Sequence, residues 1–250
     1  MLKHTMLFLG YELRSTLRNP IWPLFGVLQP VLYLLLFAPL LANTGAVGAS
    51  QAEALEAFTP GVMMMVALFG SLFVGFGMIY ELREGYLERL AVSQVWRPAI
   101  VLGRTLRDVV QLIVQALLVV GLAALMGMRA DPIGLLLMLL LMAVVGMLAS
   151  GLSYGMALAV RDENGMSQIM QFFAMPLILL TGILLPMSLA PQWMQTVALF
   201  NPLYHAVEAG RALFAGDLGD GSIPLAFGLT LVLAVLALTW SVRSMRRLAG

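Results

Sequence analysis

Runs of about 20 apolar residues, separated by short polar stretches, recur at about 21–42, 60–80, 108–127, 133–160, 166–187 and 223–242. A helix of roughly 20 residues crosses a hydrocarbon core of about 30 Å, so the pattern predicts six transmembrane helices. Ahead of them, Leu2, Met6, Leu9, Leu13 and Leu17 recur at helical spacing, while Lys3, Glu12, Arg14 and Arg18 lie off that line. Residues 2–18 are therefore expected to form an amphipathic helix lying on the membrane surface. The run at 21–42 is longer than the roughly 7–15 residues of a signal-peptide core and reads as a retained first crossing.

The runs are not uniform. Pro23, Pro30 and Pro39 interrupt the first, and Pro176 the fifth; bilayer helices tolerate such breaks where neighbours re-satisfy the freed backbone groups. The fourth run, some 28 residues long, exceeds the hydrocarbon thickness and must tilt or project. Its Gly151 and Gly155 form a GxxxG pair that suits close helix packing. Residues 188–222 are too broken by Pro191, Pro202 and Gly216 for a full crossing. Two short helices, about 190–199 and 203–215, fit there as a re-entrant-like external segment between the fifth and sixth crossings.

Composition agrees with the pattern: 61% of the 250 residues are hydrophobic and 11% charged, against about 45–50% and 25% in soluble domains. The whole chain, 1–250, reads as one all-α integral membrane domain with no separate soluble unit. Charge fixes an orientation. Six crossings put Lys3, Arg14, Arg18, Arg83, Arg89, Arg97, Arg104, Arg107, Arg161, Arg243, Arg246 and Arg247 on one side and only Arg129 and Arg211 on the other. Cytosolic loops retain positive residues, so both termini are expected in the cytosol. A net charge of +1 gives no reason to expect nucleic acid, and with no cysteine there is neither a disulfide nor a thiolate metal site.

Chemistry is sparse. No GxxxxGK[ST] or HExxH occurs, and the two histidines, His4 and His205, fall on opposite expected sides. No catalytic residue and no metal or cofactor site are expected. The crossings hold almost no ionisable residue beyond Asp108 at a cytosolic end, whereas ion-coupled carriers need such groups at membrane depth. A stand-alone carrier or channel is thus the weaker alternative to a protein powered from outside the membrane.

The longest cytosolic polar stretch, 81–98, offers Glu81, Glu84 and Glu88 on one helical face, with Leu82, Tyr86 and Leu90 beside them. Spacing alone fits either a partner-docking helix or a solvated amphipathic one.

The run Arg83-Glu84-Gly85-Tyr86-Leu87-Glu88-Arg89-Leu90-Ala91-Val92-Ser93, followed by Ile100-Val101-Leu102-Gly103-Arg104, resembles the first cytoplasmic loop of ABC-2 type permeases. Thr181-Gly182, Pro186, Pro191-Gln192-Trp193, Asn201-Pro202-Leu203-Tyr204 and Arg211 are similar to that family's segment after the fifth crossing. The likeness extends over essentially the whole chain. It implies the permease subunit of an ATP-driven exporter of the daunorubicin-resistance or polysaccharide and lipooligosaccharide export type. The substrate class would be a drug, lipid or lipid-linked glycan. Two permease chains, here expected as a homodimer in lipid, would work with two copies of a cassette ATPase that holds ATP and Mg. The resemblance further implies that 81–98 is a coupling helix, with Glu81, Glu84, Glu88 and Arg89 as polar contacts and Leu82, Tyr86 and Leu90 as apolar anchors. It implies an external gate at Trp193, Asn201, Pro202, Glu208 and Arg211, and a substrate path lined by Tyr33, Phe37, Phe73, Phe76, Phe172 and Phe173.

Overall fold

The computed structural model describes residues 2–18, 21–44, 50–87, 97–129, 131–183, 187 and 190–246. Ten helices account for most of them: α1 Leu2–Arg18, α2 Ile21–Thr44, α3 Gln51–Leu72, α4 Gly75–Arg83, α5 Arg97–Leu125, α6 Pro132–Val160, α7 Glu163–Leu179, α8 Gln192–Ala198, α9 Pro202–Phe214 and α10 Ser222–Arg246. No strand occurs among the described residues. Among the described residues, four stretches are long and apolar enough to cross a membrane: Ala52–Arg83, Pro98–Leu125, Pro132–Val160 and Ser222–Arg246.

The helix starts are written in the sequence. The side chains of Ser50, Asp131, Asp162 and Asn201 each accept a hydrogen bond from a backbone N–H in the first turn of α3, α6, α7 and α9. These caps satisfy N–H groups that a helix leaves orphaned. Pro132 and Pro202 occupy first-turn positions, where no N–H is needed.

Several expected boundaries shift. The second crossing begins far earlier than residue 60, at the start of α3, and breaks at Phe73–Val74 before resuming as α4. The break is repaired by a neighbour. Ser153 Oγ accepts from Gly75 N at 2.9 Å and donates to Leu72 O at 2.5 Å. A Cβ on Gly75 would lie 2.5 Å from Ser153 O, so only glycine admits this approach. The third crossing begins at Arg97 rather than 108, so residues 97–107 are helix and not cytosolic loop. The helix expected as the fifth crossing ends at Leu179 rather than 187, and at 17 residues it is about 26 Å long. The expected continuous helix over 81–98 does not form as such. α4 stops at Arg83, and Gly85 adopts φ +65° in the turn that follows Glu84 and ends the helical run. The two short outer helices, α8 and α9, lie close to their expected limits.

α6 is the hub, packing against α3, α5, α9 and α10. Its GxxxG pair meets α10. A Cβ on Gly151 would sit 3.1 Å from Leu238 N, and one on Gly155 only 2.4 Å from the Trp240 ring. The main core gathers Val62–Leu68 of α3, Leu112 and Ala116 of α5, Met138–Met142 of α6 and Val207–Phe214 of α9. A second core joins Met78, Ile79, Leu87, Ile100, Tyr154, Leu158, Met166 and Met245.

The bundle is electrically bipolar. The end of α4, the starts of α5 and α7 and the end of α6 meet at one end, through Arg83 with Asp162 and Glu163 and through Arg107 with Tyr154. This is the basic end, where the arginines of the expected cytosolic side gather. The opposite, acidic end brings Glu56, Arg129, Asp131 and Arg211 around the starts of α3 and α6 and the end of α9.

The contact face of α1 also differs from expectation. α1 packs on α5 through a stripe that includes Thr5, Phe8 and Glu12, with Gly103 making room for Phe8 at 2.8 Å from its would-be Cβ. Met6 and Leu17 of the expected apolar line are exposed, while Glu12, expected on the polar side, is only 6% exposed.

Candidate functional site

α5 carries Arg104, Arg107 and Asp108 on one face, because spacings of three and four residues bring side chains together on a helix. That face meets Glu12 of α1, Glu81 of α4 and Tyr154 of α6. Arg104 Nε donates to Glu12 Oε1 at 3.1 Å, and its Nη2 donates to Glu81 Oε2. Arg107 Nη1 reaches Glu12 Oε2 at 2.7 Å, and its Nε and Nη2 bind Asp108 Oδ1 at 3.0 and 2.6 Å. Tyr154 closes the ring by donating to Asp108 Oδ2 at 2.6 Å.

Arg104 and Asp108 are each 3% exposed. Taking such ions out of water costs several kcal/mol each, which only close pairing and hydrogen bonding offset. Glu12 binds one guanidinium through each carboxylate oxygen, so it locks α1 to α5 in a single register. Next to the cluster, Tyr86 hydrogen-bonds Tyr11, and partial burial together with that contact pushes its hydroxyl up to about 12. Four separate parts of the chain therefore converge between the end of α4 and the first turns of α5.

The expected docking residues differ in setting. Glu81 points inward to Arg104, and half-buried Leu82 packs against the second core. Glu84 and Tyr86 are exposed. Glu88, Arg89 and Leu90 lie outside the described residues.

The expected outer-segment residues form a second assembly at the acidic end. Arg211 Nη1 pairs with Glu208 Oε1 at 2.6 Å, and its Nη2 donates to Gly182 O at 2.6 Å. Its Nε donates to Ala57 O at 3.4 Å, so one guanidinium ties α9 to α3 and to the turn after α7. Gly182 has φ +69° in that turn. Gly61 lets the turn approach, since a Cβ there would be 2.9 Å from Ile183 O. Buried Asn201 donates from Nδ2 to Leu177 O at 2.9 Å while its Oδ1 caps α9. Pro202 opens α9, and Trp193 on α8 is 66% exposed.

The six aromatic residues of the expected path fall into three groups. Tyr33 and Phe37 stack toward Phe58 in the main core, with ring centroids 5.7 and 6.0 Å apart. Phe73 lies between Phe69 and Phe76 along the α3–α4 break, at 6.2 and 6.1 Å. Phe172 and Phe173 meet edge to face at 5.2 Å on α7, which also exposes Met175 and Leu179.

Sequence reasoning missed the basic-end cluster. Its local signal was the Arg104–Arg107–Asp108 spacing, and the Thr5–Glu12–Thr16 stripe at seven and four residues supplied the other half. Both read equally well as a charged membrane border, because the partner, Glu12, is 92 positions from Arg104.

The family model described as ABC-2 type transporter matches residues 4–215. The chain is 28% identical over 218 residues to a daunorubicin resistance ABC transporter permease protein of Streptomyces coeruleorubidus, covering 85% of this chain and 76% of that one. It is 25% identical over 203 residues to a transport permease of Cyanophora paradoxa, covering 79% and 69%. A Mycobacterium tuberculosis protein named as a doxorubicin resistance ABC transporter permease is 23% identical over 201 residues, covering 80% and 72%.

Proposed function

The chain belongs to the ABC-2 type transporter family and is the membrane permease subunit of an ABC exporter; on that premise, we propose that it carries an amphipathic or lipid-linked substrate outward by alternating access driven by a separate cassette ATPase. The nucleotide and Mg would reside in that ATPase. The names of the Streptomyces and Mycobacterium relatives favour a drug-like substrate within this class. Two permease chains would enclose the path, since α2 and α7 turn apolar faces outward through Leu28, Leu32 and Leu36 and through Phe172, Phe173 and Met175. Such faces suit either lipid or a second chain. Both termini would be cytosolic in the inner membrane, and α8 and α9 would form the external gate.

The observation that carries the mechanism is the convergence of Glu12, Glu81, Arg104 and Arg107 at the basic end. Residues 84–97 are flanked by Glu81 on one side and Arg104 on the other. A load applied by the ATPase to this segment therefore reaches α4, α5 and α1 together. In this reading Glu84, Tyr86, Glu88, Arg89 and Leu90 touch the partner, and Glu81 transmits the motion inward. Co-purification in mild detergent tests the proposal. A cassette ATPase should elute in about equal amount, and daunorubicin-class drugs should stimulate its hydrolysis; a folded chain that elutes alone would overturn it. Glu88→Arg should abolish association while leaving membrane insertion intact.

A further inference from the structure

A cavity of about 370 Å³ opens between α5 and α10, lined by Leu102, Leu238, Thr239, Val242, Arg243 and Arg246. This volume is within the range of about 300–1,000 Å³ usual for small-molecule sites. Its two chemistries are segregated. Leu102, Leu238 and Val242 make an apolar wall, whereas Arg243 and Arg246 lie in the last turn of α10. Thr239 Oγ1 donates to Val235 O at 2.6 Å, so the guanidiniums are the donors left for a ligand.

Those guanidiniums are exposed. Among the described residues neither makes an ion pair or hydrogen bond. The nearby acids are committed elsewhere: Glu12 and Glu81 to Arg104, Asp108 to Arg107, and Asp162 and Glu163 to Arg83. Two arginines at i and i+3 beside a cavity call for an anion with an apolar extension. Toward the bilayer, α10 exposes Leu231 and Val235 on the face of Val242, a strip along which an acyl chain can lie. Basic pockets between transmembrane helices are where anionic headgroups bind.

We propose that this cavity is a binding site for one anionic phospholipid, its phosphate held by Arg243 and Arg246 and its acyl chain laid along Leu102, Leu238 and Val242. The site rests on the membrane location of the chain and not on its substrate or ATPase. Arginine suits the task because its planar fork presents paired donors to phosphate oxygens.

Native mass spectrometry of the full chain in detergent, titrated with phosphatidylglycerol, phosphatidylcholine or inorganic phosphate, tests it. One phosphatidylglycerol should bind at least tenfold more tightly than phosphatidylcholine. The double variant Arg243→Gln/Arg246→Gln should bring phosphatidylglycerol down to the phosphatidylcholine level, while Arg14→Gln/Arg18→Gln on α1 should leave it unchanged. Leu102→Trp, which fills the apolar wall and spares both charges, should also weaken the lipid about tenfold, and it decides the matter if the double variant does not fold. Equal phosphatidylglycerol binding by wild type and Leu102→Trp would overturn the proposal. So would displacement of the lipid by inorganic phosphate alone, which would leave an anion site with no lipid specificity.

Discussion

Glu12 shows how one side chain can set the relation between two helices. Its two oxygens are taken by the guanidiniums of buried Arg104 and half-buried Arg107, so its removal takes one carboxylate partner from each. Breaking a buried pair outright costs about 3–5 kcal/mol, and Glu81 and Asp108, which keep hold of the two arginines, lower that cost. Glu12→Ala should therefore lower the detergent unfolding midpoint and expose α1 to limited proteolysis, while Arg14→Ala on the exposed face should do neither; equal behaviour of the two would remove the structural role assigned to Glu12. Ser153 does comparable work at the α3–α4 break, where one hydroxyl serves both a donor and an acceptor. Its loss leaves two buried backbone groups unsatisfied, each worth about 1–3 kcal/mol. Ser153→Ala should destabilise the purified chain measurably, and Ser153→Thr, which retains the hydroxyl, should recover part of the loss.

At the scale of elements, the most extensive packing is α6 against α10. A side chain at Gly155 would overlap the Trp240 ring, and overpacking of this kind costs about 1–3 kcal/mol or more. Gly155→Leu should reduce the yield of folded protein, and pairing it with Trp240→Ala should restore it; failure of the second change to rescue would place the defect elsewhere. The helices themselves were largely legible. The apolar runs located α2, α6 and α10 to within a few residues, and the proline and glycine punctuation located α8 and α9. The boundaries that moved did so for local reasons. Arg97–Arg107 is polar enough to read as loop, but it is held in the helix by packing on α1. The 81–98 pattern read as one helix because its charges and leucines keep a 3.6-residue period, yet Gly85 takes a left-handed conformation and ends it.

The whole molecule is a dipole across the membrane: twelve of its fourteen Lys and Arg residues fall on the expected cytosolic side, and acids outnumber them at the other end. The absence of cysteine gives a clean background for testing that orientation. In intact cells Asp217→Cys should react with an impermeant maleimide, and Arg14→Cys should react only after lysis. The reverse pattern would invert the proposed topology and place the 84–97 segment out of reach of any cytosolic ATPase.

By itself the sequence determined the solvent of this protein. Apolar excess in 20-residue blocks and one-sided arginines are additive properties that need no knowledge of neighbours, and the permease motifs could be read in order along the chain. Only the tertiary structure decided which charges are solvated and which are structural. Periodicity reports the face a residue occupies but not what that face meets. Glu81 read as a docking contact, and only the structure sets Arg104 against it; Glu208 and Arg211 read as gate residues, and only the structure shows Arg211 holding Ala57 and Gly182 as well. Such long-range pairings are fixed when helices pack, because a buried ion is stable only where distant segments deliver its partner.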